Sequence, residues 1–285
     1  MSEMMPPIGR TARLRVSKSL DFGVYLVDEL LGEVLLPKSE VPRGCAVGDW
    51  LQVFLYKDSK DVAIATTRTP LATVGTCAYL EVVAVDSVGA FLNWGLPKDL
   101  FVPFAEQKRR MEVGRFYTVF VYLDNTGRIA ATPRLQRHLS ELSEVHRAGQ
   151  PVELLICGRT DLGYRAAIDD THLGLLFDGD VFEPIVQGQR YAGFIKELRE
   201  DGKLTVCLRL DNEESRDALG EQLVAYMRER GGSMAFNDKS PPEQIYKAFG
   251  VSKKVFKRAL GQLYREKRVL LEEQRVSLVK PTPER

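Results

Sequence analysis

Up to about Leu210 the apolar positions come in short runs, rich in Val, Ile, Leu and aromatics and bounded by Gly, Asp and Pro. Beyond that point they recur at three- and four-residue steps. The first pattern is that of short β-strands, the second that of helices. The strand-rich part repeats. Three segments, Phe22-Gly23-Val24-Tyr25-Leu26, Val88-Gly89-Ala90-Phe91-Leu92 and Leu162-Gly163-Tyr164-Arg165-Ala166, anchor three copies. From each glycine, 14 residues lead to Pro37, Pro103 or Phe177, and 11 more lead to Gly48, Gly114 or Gly188. A further strand follows in each copy (Trp50 to Tyr56, Phe116 to Tyr122, Tyr191 to Lys196), then a turn, then a closing strand.

Each copy therefore predicts about five short strands, with the glycine of the second strand at a bend or bulge. A five-stranded Greek-key barrel of this size is the OB architecture. The expected organisation is mainly β with an α+β C-terminal module: barrels over 8–70, 71–135 and 148–211, then a helical unit over 213–280.

In that last unit, Glu213 to Glu229 predicts one helix, with Ala218, Leu219, Leu223 and Met227 on its apolar stripe and Gly231-Gly232 at its end. Ser240 is expected to cap a helix from Pro241 to Phe249, closed by Gly250. Ser252 caps a third helix, with Val255, Phe256, Leu260 and Leu263 inward, before two strands at Val269-Leu270-Leu271 and Val276 to Val279. Helix, helix, turn, helix and hairpin make a winged helix-turn-helix.

The Phe22-Gly23-Val24-Tyr25-Leu26 pattern, the Gly32-headed strand, a short helical crossover and Gly48-Asp49 resemble the S1 RNA-binding domain. The second copy is similar through Gly89-Ala90-Phe91 and Gly114, and the third is divergent. Three S1-like barrels followed by a winged helix resemble the conserved virulence factor B (CvfB, YitL-like) family. The most specific match is Asp238-Lys239-Ser240-Pro241-Pro242-Glu243-Gln244-Ile245-Tyr246-Lys247 leading to Phe249-Gly250-Val251-Ser252-Lys253-Lys254. The resemblance implies RNA binding and an influence on gene expression, including virulence regulation.

OB barrels hold single strands on the face of their second and third strands, where aromatics stack on bases and cations track phosphates. The matching positions are Phe22, Tyr25 and Leu35 in the first copy, Val88, Phe91 and Phe101 with Trp94 nearby in the second, and Leu162, Arg165 and Leu175 in the third. Phe22, Tyr25, Phe91, Trp94 and Phe101 are thus the candidate stacking residues. Lys18, Lys38, Lys98, Lys108, Arg109 and Arg110 are candidate phosphate contacts, joined by Lys253, Lys254, Lys257 and Arg258 on the third helix. Buried core aromatics and a solvated basic loop are the competing readings of the same residues.

Composition changes this picture little. At 44% hydrophobic and 28% charged residues, the chain has the make-up of an ordinary globular protein, so disorder is expected only at Met1 to Arg10 and in the Pro281-Thr282-Pro283 tail. A net charge of +1 neither supports nor excludes nucleic acid, because local charge decides. No secretory signal or membrane-length apolar run is visible, so the cytoplasm is the expected compartment and no membrane partner is expected. Cys45, Cys77, Cys157 and Cys207 form no CxxC pair, and no metal or cofactor is expected. His138 and His146 fall on an expected linker helix from Leu135 to Arg147, and His172 lies apart. No phosphate-cradling loop, HExxH or GxSxG occurs, so an enzyme is not expected. A monomeric single-stranded-RNA binder leads, with DNA a further partner for the winged helix. The alternatives are a winged-helix transcription regulator and a ribosome-associated scaffold.

Overall fold

The 14-residue spacing of the repeat is a hairpin register. In the computed structural model, which describes residues 7–58, 60–181, 184–210 and 213–279 (side chains of 213–215 excepted), Gly23 pairs with Pro37, Gly89 with Pro103 and Gly163 with Phe177 across adjacent strands. The first barrel comprises β1 (Thr11–Leu20), β2 (Gly23–Asp28), β3 (Gly32–Pro37), β4 (Trp50–Lys57) and β5 (Ala63–Thr66). The second comprises β6 (Cys77–Val85), β7 (Gly89–Leu92), β8 (Leu100–Pro103), β9 (Phe116–Leu123) and β10 (Ile129–Thr132). The third comprises β11 (Pro151–Thr160), β12 (Gly163–Ile168), β13 (His172–Phe177), β14 (Arg190–Leu198) and β15 (Leu204–Cys207). All three close with the same neighbour order, first-second-third-fifth-fourth, the third and fifth strands running parallel.

The anchor glycines serve close approach rather than a bulge. A Cβ at Gly23 or Gly89 would lie 2.3 Å from a backbone oxygen of the facing strand, that of Leu36 or Val102. The bulge sits instead in the first strand of each barrel, between Val16 and Lys18, Val82 and Ala84, and Ile156 and Gly158. The second anchor closes onto it: the amides of Gly48, Gly114 and Gly188 donate to the carbonyls of Val16, Val82 and Ile156 at 2.8–2.9 Å. The repeat's two spacings are thus a strand register and a plug on a bulge.

Alternate residues fill each barrel, as the two-residue period requires. Val53 and Leu55 of β4 point into the first core, while Phe54 and Tyr56 on its outer face join the core of the second barrel. Phe120 on the outer face of β9 likewise packs with Leu155, Ala167 and Leu173 of the third barrel. A strand buried on both faces marks each junction. Polar contacts reinforce these seams. Arg190 donates to Cys77 O at 2.7 Å and to the Asp170 carboxylate, which also accepts from the Cys77 amide.

Two expectations about the segments flanking the barrels need correction. The 135–147 linker is not a helix: after a single 3-10 turn at Leu135–Arg137 it runs beside β13, with Ser140 bridged to His172. His146 is buried there, its Nδ1 2.7 Å from Ser143 Oγ, and His138 stacks on Phe120 and Tyr122. The start of the chain is partly packed, since Ile8 is buried and Gly9 bonds both Leu55 and Val74. Pro281-Thr282-Pro283 and the expected domain ends at 211 and 280 lie outside the described residues.

The C-terminal unit packs α1 (Glu213–Glu229), α2 (Pro242–Phe249) and α3 (Lys253–Arg265) on a small sheet of β16 (Ser233–Met234), β18 (Val276–Leu278) and β17 (Val269–Leu271), in that order. Its core gathers Leu223, Met227, Ile245, Phe256, Leu260 and Leu263. Ser252 caps α3 by accepting from the Val255 amide at 3.0 Å. The cap of α2 is Pro241, not Ser240, whose hydroxyl instead accepts from the Asn237 amide and closes the preceding turn.

Candidate nucleic-acid interface

The β7–β8 pair of the second barrel carries Phe91 directly opposite Phe101. Their rings are 5.3 Å apart at 38°, and both are half-buried, which leaves ring surface for a base. Close packing of the two strands at Gly89 sets that spacing, because a side chain there would strike Phe101 as well as the Val102 carbonyl. Exposed Val88 continues the face. Lys108, Arg109 and Arg110 are exposed on the loop that follows, and the Arg110 guanidinium lies 3.3 Å from the centre of the half-buried Phe104 ring.

Two residues expected on this face are placed otherwise. Trp94 is 2% exposed and belongs to the core. Its ring meets Phe54 of the first barrel edge-on at 5.6 Å, and its Nε1 donates to Lys98 O at 2.6 Å, so it offers no surface for stacking. Lys98 turns away from any phosphate track. Its Nζ donates to the carbonyls of Lys57 at 2.9 Å and Asp58 at 2.8 Å, fastening the two barrels, and burial pulls its pKa below the ordinary lysine value.

The first barrel has a sparser face. Exposed Phe22 meets half-buried Tyr25 edge-on at 6.3 Å, and aliphatic Leu35 lies across from Tyr25. Lys18 sits 4.5 Å from the Tyr25 ring centre but also pairs with Glu33 at 2.6 Å. That pair is exposed and contributes little, so a phosphate can displace the carboxylate. Lys38 is exposed at the end of β3. On the third barrel the equivalent cations are engaged: Arg159 grips Asp178, and Arg165 pairs with Glu141 from the linker.

On α3, Lys254, Lys257 and Arg258 are exposed and Lys253 half-buried. Lys257 approaches Asp238 at 3.8 Å. Lys253, Lys254 and Arg258 line a cleft of about 1060 Å³ between the winged helix and the third barrel, facing Phe194, Lys196 and Arg209. The wing turn carries Glu272 and Glu273, and Glu272 is engaged by Arg275. No group of three or more His, Cys, Asp and Glu among the described residues is placed to hold a metal. No helix among them is long and apolar enough to cross a membrane.

The S1 domain family model matches residues 8–68 and 74–134, the first two barrels, and the CvfB-like winged helix domain model matches 221–278. The uncharacterized protein YitL of Bacillus subtilis is 30% identical over 283 residues, covering 93% of this chain and 91% of YitL. Conserved virulence factor B of Staphylococcus saprophyticus is 25% identical, covering 86% of each chain. The chain belongs to the conserved virulence factor B family. A crystal structure of a multidomain protein with nucleic acid binding domains from Streptococcus pneumoniae aligns with 96% of the chain and 99% of its own, at 22% identity and a TM-score of 0.41.

For this member of the conserved virulence factor B family, two S1 domains and a winged helix make nucleic-acid binding the shared property of its modules. The matched S1 copies include the barrel with the cross-strand Phe91–Phe101 pair, and the third barrel lies outside the matched residues. Sequence reasoning missed Trp50, which is 57% exposed at the start of β4 with Arg13 over its ring. It also missed exposed Phe116, the equivalent position in β9, which packs on Tyr79. Their signal was an aromatic at the solvent end of a strand, which periodicity alone assigns to the core.

Proposed function

We propose that this protein is a non-enzymatic RNA-binding regulator of gene expression, acting in the cytoplasm, that holds single-stranded RNA chiefly on the β7–β8 face. The observation that carries this reading is the Phe91–Phe101 pair, half-buried on adjacent strands, with Lys108, Arg109 and Arg110 exposed on the loop after β8. Aromatics on a sheet accept only bases that are free of a duplex, and such stacking contributes about 1–3 kcal/mol per base. Phe22, Tyr25 and Lys18 supply a weaker second site, and Lys253 and Lys254 a third, basic one. Linked sites reinforce one another through effective concentration. The acidic turn at Glu272-Glu273 speaks against a wing that grips duplex phosphates. Exposed Tyr264, Leu270 and Leu271 favour a second reading for this module alone, contact with a protein.

The test is a titration of the intact chain with an unstructured RNA and with duplex DNA of equal length at several salt concentrations. Single-stranded RNA is expected to bind more tightly, with affinity falling as salt rises at a slope of roughly −0.7 per phosphate contacted. Tighter binding to the duplex would overturn the reading in favour of a winged-helix DNA regulator.

A further inference from the structure

The second barrel's aromatic face opens into a cleft rather than onto a flat surface. The β4–β5 hairpin of the first barrel overhangs it, enclosing a pocket of about 410 Å³ between Tyr56, Lys57 and Asp58 on one side and Val88, Phe91 and Phe101 on the other. Pockets of a few hundred Å³ are of the size that holds a small organic ligand, and this one has room for a base with its sugar. The overhang is fixed by Lys98 on the Lys57 and Asp58 carbonyls and by Arg128 on Asp61 at 3.0 Å.

The polar lining is one-sided. Its cations are already engaged within the protein: Lys98 on carbonyls, Arg128 on Asp61, and Lys57 near Asp61 and the Thr126 carbonyl. Asp58 and Asp124 each accept backbone amides of their own turns. Asp99, at the entrance to β8 two residues before Phe101, has a carboxylate with no hydrogen bond or ion pair among the described residues. What the pocket offers a base stacked on Phe91 and Phe101 is therefore an anionic acceptor.

We propose that this inter-barrel pocket selects the base, favouring guanine, through Asp99. The inference rests on the reading of the β7–β8 face as the single-strand site. A carboxylate accepts two parallel N–H bonds from guanine, whose N1–H and N2 amino group lie side by side. Adenine and cytosine present one amino group beside an acceptor. Uracil presents a single N–H between two carbonyl oxygens, which a carboxylate repels.

The experiment uses the full chain and uridine dodecamers carrying one central G, inosine, A or C, with fluorescence anisotropy as the readout. The G-containing strand is expected to bind about tenfold more tightly than the all-uridine strand, as one lost charge-assisted hydrogen bond predicts. Inosine, which lacks the N2 amino group, is expected to lose most of that gain. Asp99→Asn, isosteric and at the surface, is expected to abolish the base order whatever it does to overall affinity. Equal binding of all strands, or an unchanged order in Asp99→Asn, overturns base selection while leaving single-strand binding standing. Failure to bind any of the strands overturns both.

Discussion

Lys98→Met separates two roles that the sequence could not. Methionine keeps the aliphatic stem and removes the ammonium, so the bonds lost are those to the Lys57 and Asp58 carbonyls at 2.9 and 2.8 Å. Hydrogen bonds from charged donors contribute roughly 1.5–3 kcal/mol each in buried settings. Lys98 is at the surface and water can reach both freed carbonyls, so the expected loss is about 1–2 kcal/mol in all. It should appear in urea unfolding. It should also appear locally: the amides of Lys60 and Val62, which bond to the Asp58 carboxylate in the fastened hairpin, are expected to exchange with solvent about tenfold faster. The salt dependence of RNA binding should not move. If stability and exchange are unchanged while the salt slope shrinks by about 0.7, Lys98 is a phosphate ligand and the fastening account is wrong.

Other outcomes follow from the same geometry. Trp94→Ala should cost about 3–5 kcal/mol of stability as a core truncation; a loss below about 1 kcal/mol would contradict its burial between the first two barrels. Lys253→Ala with Lys254→Ala should lower the salt slope by about 1.4 if both touch RNA phosphates, and an unchanged slope assigns α3 to another partner. Burial pushes the imidazole pKa of His138 and His172 below the ordinary value, His172 also through His146. The native state then binds fewer protons than the unfolded chain. The stability these groups contribute is present above their unfolded pKa of about 6.5 and is lost as pH falls through the lowered native values. Urea midpoints at pH 7.5 and 5.5 should differ less in His138→Gln and His172→Gln than in the parent, and equal differences would contradict this.

The barrels were legible because their determinants are local and recur. Gly89 and Pro103 are 14 residues apart because they face each other across a hairpin, and Gly114 follows at 11 because it returns to the Val82 carbonyl at the bulge. The Phe91–Phe101 pair was legible for the same reason, being a cross-strand neighbour within one hairpin. The misplaced residues depend on contacts between barrels, for which no local period exists. Trp94 reads as a surface aromatic until Phe54 of another barrel covers it. Lys98 reads as a phosphate contact until the Lys57 and Asp58 carbonyls are brought to it from 41 and 40 residues away. The 135–147 segment has helix-forming residues, but backbone bonds of Ser140 to Thr171 and Leu173 and of Ser143 to Gly202 tie it to the third barrel as an irregular strap. Tertiary context overrode propensity there.

Single-stranded RNA bound as proposed stacks on the second barrel. The affinity of an unstructured RNA for Phe91→Ala, measured against the parent at fixed salt, tests it most directly. Loss of one stacked base at about 1–3 kcal/mol predicts a decrease between roughly 5- and 150-fold, with the salt slope and the fold unchanged. An unchanged affinity in Phe91→Ala, and again in Phe101→Ala, would mean that RNA is not held on the β7–β8 face.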